Sequence, residues 1–334
     1  MRKGRRNFLK TSAGAAVGLA AWPAVNRITM AQEPPATQEN VANRQFAPVQ
    51  VYLLELDKEP VGWIGPAVGE NATSDVAEQK LGAERIQHKH IPGVKFEAIT
   101  FKCGTGLAKG FYSWLAATIS GRTERRDGVI HIADNNRGTI LNTLTFHQAL
   151  ISEIGFPAVN ERSKDQRSLT IKVEPEWTSM GPGGGKLDSS RFPPGTRWLS
   201  ANFRLTIDGI NCGRGFDGTC AVRDIQDFSF KQKAVDDGVE QRIDEKAPAN
   251  LEMPNLVITL PETKAEDFLK WQQQKPDKNG MPVEKNGMLE YLAPDFKTTI
   301  FQLDFRNLGI FKIVHTLTEV AVSMYMGSAN FNAS

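Results

Sequence analysis

"HIPGVKFEAITFKCGTGLAKGFYSWLAATI", residues 90–119, is the stretch on which the fold turns. It reads as a proline, an extended run with alternating apolar residues, a short Gly-containing connection and then a helix. In that helix Leu107, Phe111, Trp114 or Leu115, and Thr118 or Ile119 recur at spacings of four and three, which gives one apolar face able to cover a sheet. The same order returns in "EMPNLVITLPETKAEDFLKWQQQ", residues 252–274. There Thr263 and Glu266 stand at capping-box spacing, and Ala265, Phe268, Leu269 and Gln272 trace a sparser stripe. Trp114 and Trp271 are expected to anchor the two helices on their sheets.

The repetition extends outward from these helices. Before them lie two alternating runs that end in Asp or a turn, "VQVYLLELD" at 49–57 and "ANFRLTIDG" at 201–209. After them come two hairpin patterns, "GVIHIADNNRGTILNTLTFHQA" at 128–149 and "GMLEYLAPDFKTTIFQLDFRNL" at 287–308. Asp134, Asn135, Asn136 and Gly138 supply turn chemistry in the first, Pro294 and Asp295 in the second. "IGFPAV" at 154–159 then parallels "LGIFKI" at 308–313. Each copy closes on an alternating strand, with Leu169, Ile171 and Val173 on one face in the first and Val320, Val322, Met324 and Met326 in the second. The Gly/Pro-dense segment 181–197 separates the copies. The chain therefore reads as α+β, mainly β: two tandem sandwich- or barrel-forming domains, 46–180 and 198–334, each with one flanking helix. Strands are expected over 94–103, 139–147, 255–260 and 298–305, with Phe96, Phe101, Phe146, Phe301, Leu303 and Phe305 packing against helices or neighbours.

The N-terminus has a different character. "GRRNFLK", with Arg5, Arg6, Phe8, Leu9 and Lys10, matches the pattern of a twin-arginine signal, which addresses a chain to the translocase for folded cargo. An Ala/Gly-rich run to Val25 follows, too short and too weakly apolar for a membrane span, and reads as the core of a signal cut after Ala31. Residues 32–45 read as a polar, Pro-containing leader. The expected location is periplasmic or extracellular. Residues 1–31 hold six of the chain's 40 Lys and Arg and none of its 38 Asp and Glu, so the remainder carries 34 basic residues and a net charge of −4. No basic run remains to mark a nucleic-acid surface.

Little in the chain announces chemistry. "MGPGGGK" at 180–186 lacks the spacing and the Ser/Thr of a phosphate loop. His88 and His90 are a metal-ligand candidate, with His131 or His147 as a third donor, and surface histidines are the competing reading. Cys212 and Cys220 bracket a Gly-rich turn and form a candidate disulfide, while Cys103 reads as a buried apolar residue. No nucleophile elbow, zinc-protease motif, dinucleotide fingerprint or C-x-x-C is present, so no cofactor is expected and the chain reads as a non-enzyme.

The residues of 90–119 also carry a resemblance. Pro92, Gly93 and Lys95, then Ile99, Thr100 and Lys102, then Phe111 and Trp114, resemble the phage tail tube family, as do "ERRDGVIHIAD" and "FHQALISEIGFPAV". The second copy matches more loosely through "FRLTIDGI" and the closing strands. Members are usually single-domain and signal-free, whereas this chain carries two such domains behind an export signal. The resemblance implies strands that join those of neighbouring subunits in a ring, and rings that stack into a hollow tube, with the chain itself as partner. Two readings stand beside it: a periplasmic cofactor- or metal-binding enzyme exported by the twin-arginine route, with His88, His90, Cys212 and Cys220 as its candidate ligands, and a monomeric β-sandwich binding module.

Overall fold

The computed structural model describes residues 50–69, 94–136, 138–187, 195–210, 222–236, 246–275 and 282–333, with the short pieces 72–73, 77–79, 88–90 and Cys212. Within them the chain is mainly β, built on two large sheets and two α-helices.

The first sheet begins with strands β1 (Gln50–Leu56) and β2 (Glu59–Ile64). Four short strands follow, β3 (Ala72–Thr73), β4 (Ala77–Gln79), β5 (His88–His90) and β6 (Lys95–Phe96), paired β3 with β6 and β4 with β5. Then come β7 (Ile99–Cys103), helix α1 (Lys109–Ile119), β8 (Arg126–Asp134), β9 (Ile140–Phe156), β10 (Val159–Asn160), β11 (Leu169–Glu174) and β12 (Trp177–Pro182). The order β11-β7-β2-β1-β8-β9 returns to β11, because β9 is long enough to pair β8 with its first part and β11 with its last. That closure makes a barrel.

The second sheet comprises β10 together with β13 (Phe203–Ile207), β14 (Asp224–Ile225), β17 (Leu256–Pro261), β18 (Lys285–Leu292), β19 (Thr299–His315), β20 (Glu319–Tyr325) and β21 (Ser328–Ala333). Helix α2 (Glu266–Gln272) flanks it. Two strands from this half leave it: β15 (Phe228–Asp236) and β16 (Lys246–Glu252) form a hairpin whose first strand pairs with β9. In exchange β10 pairs with β14.

The two long hairpins match in register. Gly128 faces Phe146 as Gly287 faces Phe305, and both glycines and both phenylalanines are 159 residues apart (287 less 128, 305 less 146). Every irregularity recurs at that spacing: the shifts at Arg126/Gly128 and Lys285/Gly287, and those at Ile132/Ala133 and Tyr291/Leu292. Gln148 and Asn307 both take positive φ, 49° and 55°, and mark the bend of each long strand. Beyond the bend a bulge leaves Ser152 unopposed by β11 and Phe311 unopposed by β20.

Three sequence expectations change. The strands expected at 139–147 and 298–305 run on to Phe156 and His315, since one left-handed residue bends each without ending it. The counterpart of Ile154 is accordingly Ile313 rather than Leu308. A period-two pattern says little about such a slide, and the bulge resets which face is apolar. The run 94–103 divides into β6 and β7, which serve different sheets. The capping box does not form: Glu262–Lys264 make a 3-10 turn after Pro261, and buried Ala265 takes the cap position without a side-chain bond.

One continuous apolar core runs through both sheets. Phe101, Phe146, Phe301, Leu303 and Phe305 are all buried in it, while Phe96 is half-buried.

Candidate functional site

The exchange between the halves is itself an interface. Phe228–Lys231 of β15 pair with Phe156–Glu153 of β9 on the edge not taken by β11. Phe156 stacks on Phe228 at 5.2 Å and meets Phe230 edge-on at 6.0 Å, and Lys231 Nζ lies 3.7 Å from Glu153 Oε1. Beside it Asn160 Nδ2 donates to Asp224 Oδ1, and Arg223 reaches Glu161 (3.7 Å) and Glu319 (2.9 Å). On the opposite flank α1 lies against β21: the Tyr112 ring packs edge-on to Phe301 at 5.6 Å and against Phe331 at 6.4 Å.

The second half carries the same long strand, and among the described residues no strand covers the edge equivalent to the one that β15 fills. Lys312–His315 correspond to Glu153–Phe156, and β20 occupies one edge. Among the described residues no strand pairs with the other. The Thr316 N–H donates to Glu319 O at 2.8 Å, which sets the alternation of the ladder. The backbone groups of Val314 therefore point to β20, and those of Ile313 and His315 point to the open edge. Phe311 and Val314 there are 51% and 40% exposed, where their counterparts are Ser152 and Gly155.

The helices hold their sheets by one device. Trp114 is fully buried and its Nε1–H donates to Glu124 O (2.8 Å), while Trp271, also buried, donates to Val283 O (2.7 Å). Each acceptor lies two residues before the strand that opens the hairpin. Phe111 and Phe268 precede these tryptophans by three residues and are buried with them. This F-x-x-W in both copies was a legible repeat signal that the apolar-stripe reading passed over in the second helix.

Charge is placed differently in the two copies. Arg204 on β13 donates to Glu290 on β18 through Nε (2.6 Å) and Nη2 (2.9 Å), and the guanidinium holds the buried Glu290 carboxyl below its ordinary range. At the equivalent cross-strand pair the first copy has Leu53 and His131, whose Nε2 lies 3.3 Å from Glu55 Oε2.

His88 and His90 lie on β5, paired to Gln79 and Ala77. His131 is on β8, and His147 on β9 stacks on Trp177 at 3.7 Å. Among the described residues no group of three or more His, Cys, Asp or Glu is placed to hold a metal. Cys103 and Cys212 are buried; Cys220 lies outside the described residues, as do Arg5, Arg6, Phe8, Leu9 and Lys10. Among those described, no helix is long and apolar enough to cross a membrane. Of the "MGPGGGK" run, Met180–Pro182 complete β12 and Lys186 bridges to Thr139.

No protein-family model and no curated protein matches the chain. Among solved structures it is similar to a chain of the extended-state sheath–tube complex of an extracellular contractile injection system, PVC, with TM-score 0.34 and 18% identity, over 44% of this chain and 99% of that one. It is also similar to a chain of the anti-feeding prophage (AFP) baseplate, with TM-score 0.28 and 13% identity, over 40% of this chain and 92% of that one.

Proposed function

We propose that this chain is a non-enzymatic structural subunit, exported folded through the twin-arginine route, that polymerises outside the cytoplasm into stacked rings forming a hollow tube. The observation that carries the reading is the open edge of β19 at Lys312–His315, whose counterpart on β9 is filled by β15. Exposed strand edges are normally covered or blunted, and this one presents Phe311 and Val314 beside Lys312 and the His315–Glu262 pair. An edge at one end of a tandem repeat that is filled at the other makes head-to-tail association the natural completion, and such association gives rings when it closes and filaments when it does not. The resemblance of residues 90–119 and 124–159 to tail tube proteins points the same way. Export of a folded subunit fits: the edge has to be folded to be presented, and polymer growth waits until protein accumulates beyond the membrane. The test is sedimentation velocity of residues 32–334 across a wide concentration range. Growth to high mass as concentration rises supports the reading, and a monomer throughout overturns it.

A further inference from the structure

The edge that carries the assembly reading is also complementary to itself. Phe311, Val314 and Leu317, the last of them fully exposed, are three of the ten large apolar residues that stand exposed among the described residues. All three fall within seven consecutive positions, with Val314 at the midpoint. On either side of that midpoint Ile313 and His315 direct their backbone groups away from β20, while Val314 directs its own toward β20, as the Thr316–Glu319 bond and the register require.

A two-fold axis at Val314, with two copies of the edge running antiparallel, satisfies both sides at once. It sets Ile313 opposite His315 of the partner subunit, and the reverse, so that two hydrogen-bonded pairs form and four backbone bonds close. It sets Val314 against the partner's Val314 across a pair without backbone bonds, and sends Phe311 toward the partner's Leu317 at each end. Neighbouring axes do less. One through Ile313 brings His315 opposite Phe311, the residue at which the bulge breaks the ladder. One through His315 brings Ile313 against Leu317, which lies in the turn between β19 and β20.

Charge agrees with the axis at Val314. Side chains alternate along a strand, so exposed Lys312 shares its face with Val314 and Thr316. It then stands opposite the partner's neutral Thr316. Thr316 faces Glu319 within its own hairpin, and Arg223 reaches that carboxylate from the other side at 2.9 Å. Lys312 therefore gains an acidic neighbour, while the two copies of Lys312 stay apart at opposite ends of the contact.

Resting on the reading of the chain as a self-assembling subunit, we propose that the open edge of β19 has a second occupant besides the growing polymer: the same edge of another copy, in a two-fold dimer centred on Val314. Such a contact is closed, and it withholds two growing edges together. Free subunit then rises only as the square root of total protein, so the dimer delays polymer until protein has accumulated.

A single cysteine at the axis tests this. Opposed Cα atoms of an antiparallel pair without backbone bonds lie about 4.5 Å apart, within the span of a disulfide. Mature Val314→Cys, residues 32–334, is oxidised below the concentration at which it polymerises, beside wild type and Ile313→Cys. Across the same axis the two copies of residue 313 stand about 8–9 Å apart, beyond a disulfide's reach. The expected result is a covalent dimer from Val314→Cys alone, and that dimer is expected to stay a dimer where the reduced protein polymerises. Adding Lys312→Glu is expected to slow crosslinking about tenfold, since the axis counts each reversed charge twice. Polymer from reduced Val314→Cys with no crosslink, and with the far-ultraviolet dichroism of wild type, would overturn the dimer and leave the assembly reading standing. Equal crosslinking of Ile313→Cys would overturn the axis. An oxidised dimer that still polymerises would overturn the competition by showing growth through another surface. Absence of polymer in wild type and in every reduced variant would remove the assembly reading, and with it the dimer's role as a brake.

Discussion

Two prolines placed one residue apart separate the fold from the assembly. Ile313 directs its N–H to the open edge, so Ile313→Pro removes no bond to β20; proline is tolerated on edge strands in that orientation. Its cost to the isolated subunit is the loss of part of a half-buried side chain, about 1 kcal/mol. In the polymer the same substitution deletes one interstrand bond and obstructs its neighbour. At about 1 kcal/mol net for each bond, the junction weakens by about 2 kcal/mol. That is about a 30-fold rise in the concentration at which polymer appears. Val314→Pro does the reverse, removing a bond of the β19–β20 ladder and leaving its acceptor unpaired, which costs the fold about 1–3 kcal/mol. The assays are thermal unfolding at low concentration and light scattering on titrating concentration upward. If Ile313→Pro polymerises like wild type, the edge is not the growing surface. If it unfolds as readily as Val314→Pro, the alternation inferred from the Thr316–Glu319 bond is wrong.

Three further outcomes follow from particular residues. A Cβ on Gly128 would lie 2.2 Å from Phe146 Cζ in a fully packed site, so Gly128→Ala is expected to cost about 1–3 kcal/mol in urea unfolding and to be relieved by Phe146→Leu; additive effects would refute this clash. Glu290 and the exposed Asp295 both have folded pKa values below their unfolded ones, the first through Arg204 and the second, at about 2, through Thr298 and the backbone of its turn. The folded state binds fewer protons between those values, so this stability is complete above about pH 4.5 and is lost as pH falls toward 2. The melting temperature should decline over that window, less steeply in Glu290→Gln, and an equal decline in that variant would contradict the assignment. Finally, Arg5→Lys with Arg6→Lys should leave the precursor in the cytoplasm on fractionation; normal export would exclude the twin-arginine route.

Much of the fold was legible because its signals are local. Alternation located most of the barrel strands, the turn residues Asp134 and Asp295 set the hairpins, and the spacing of Phe111, Trp114 and Leu115 set α1. Asp295 accepts from the N–H groups of Lys297 and Thr298, as its turn chemistry predicts. What escaped was non-local. Nothing in the residues of β9 says that it will bend at Gln148 and serve two neighbours on each edge, and the closure of the first barrel depends on that bend. The crossing of β15 into the other sheet is equally silent, since its alternating phenylalanines, Phe228 and Phe230, suit any apolar seat. The candidate interface was the least legible part. Apolar Phe311 and Val314 carry no sequence signal of exposure, and only the matched register of the two copies identifies them as lying on the edge whose counterpart is covered.

Negative-stain electron microscopy of the purified chain from Gln32 to Ser334, concentrated without cofactor, tests the central claim most directly. The account predicts regular rings or hollow filaments built from repeating pairs of barrels. A uniform field of single 288-residue bodies, the unit Ala47–Ser334, at every concentration would contradict it.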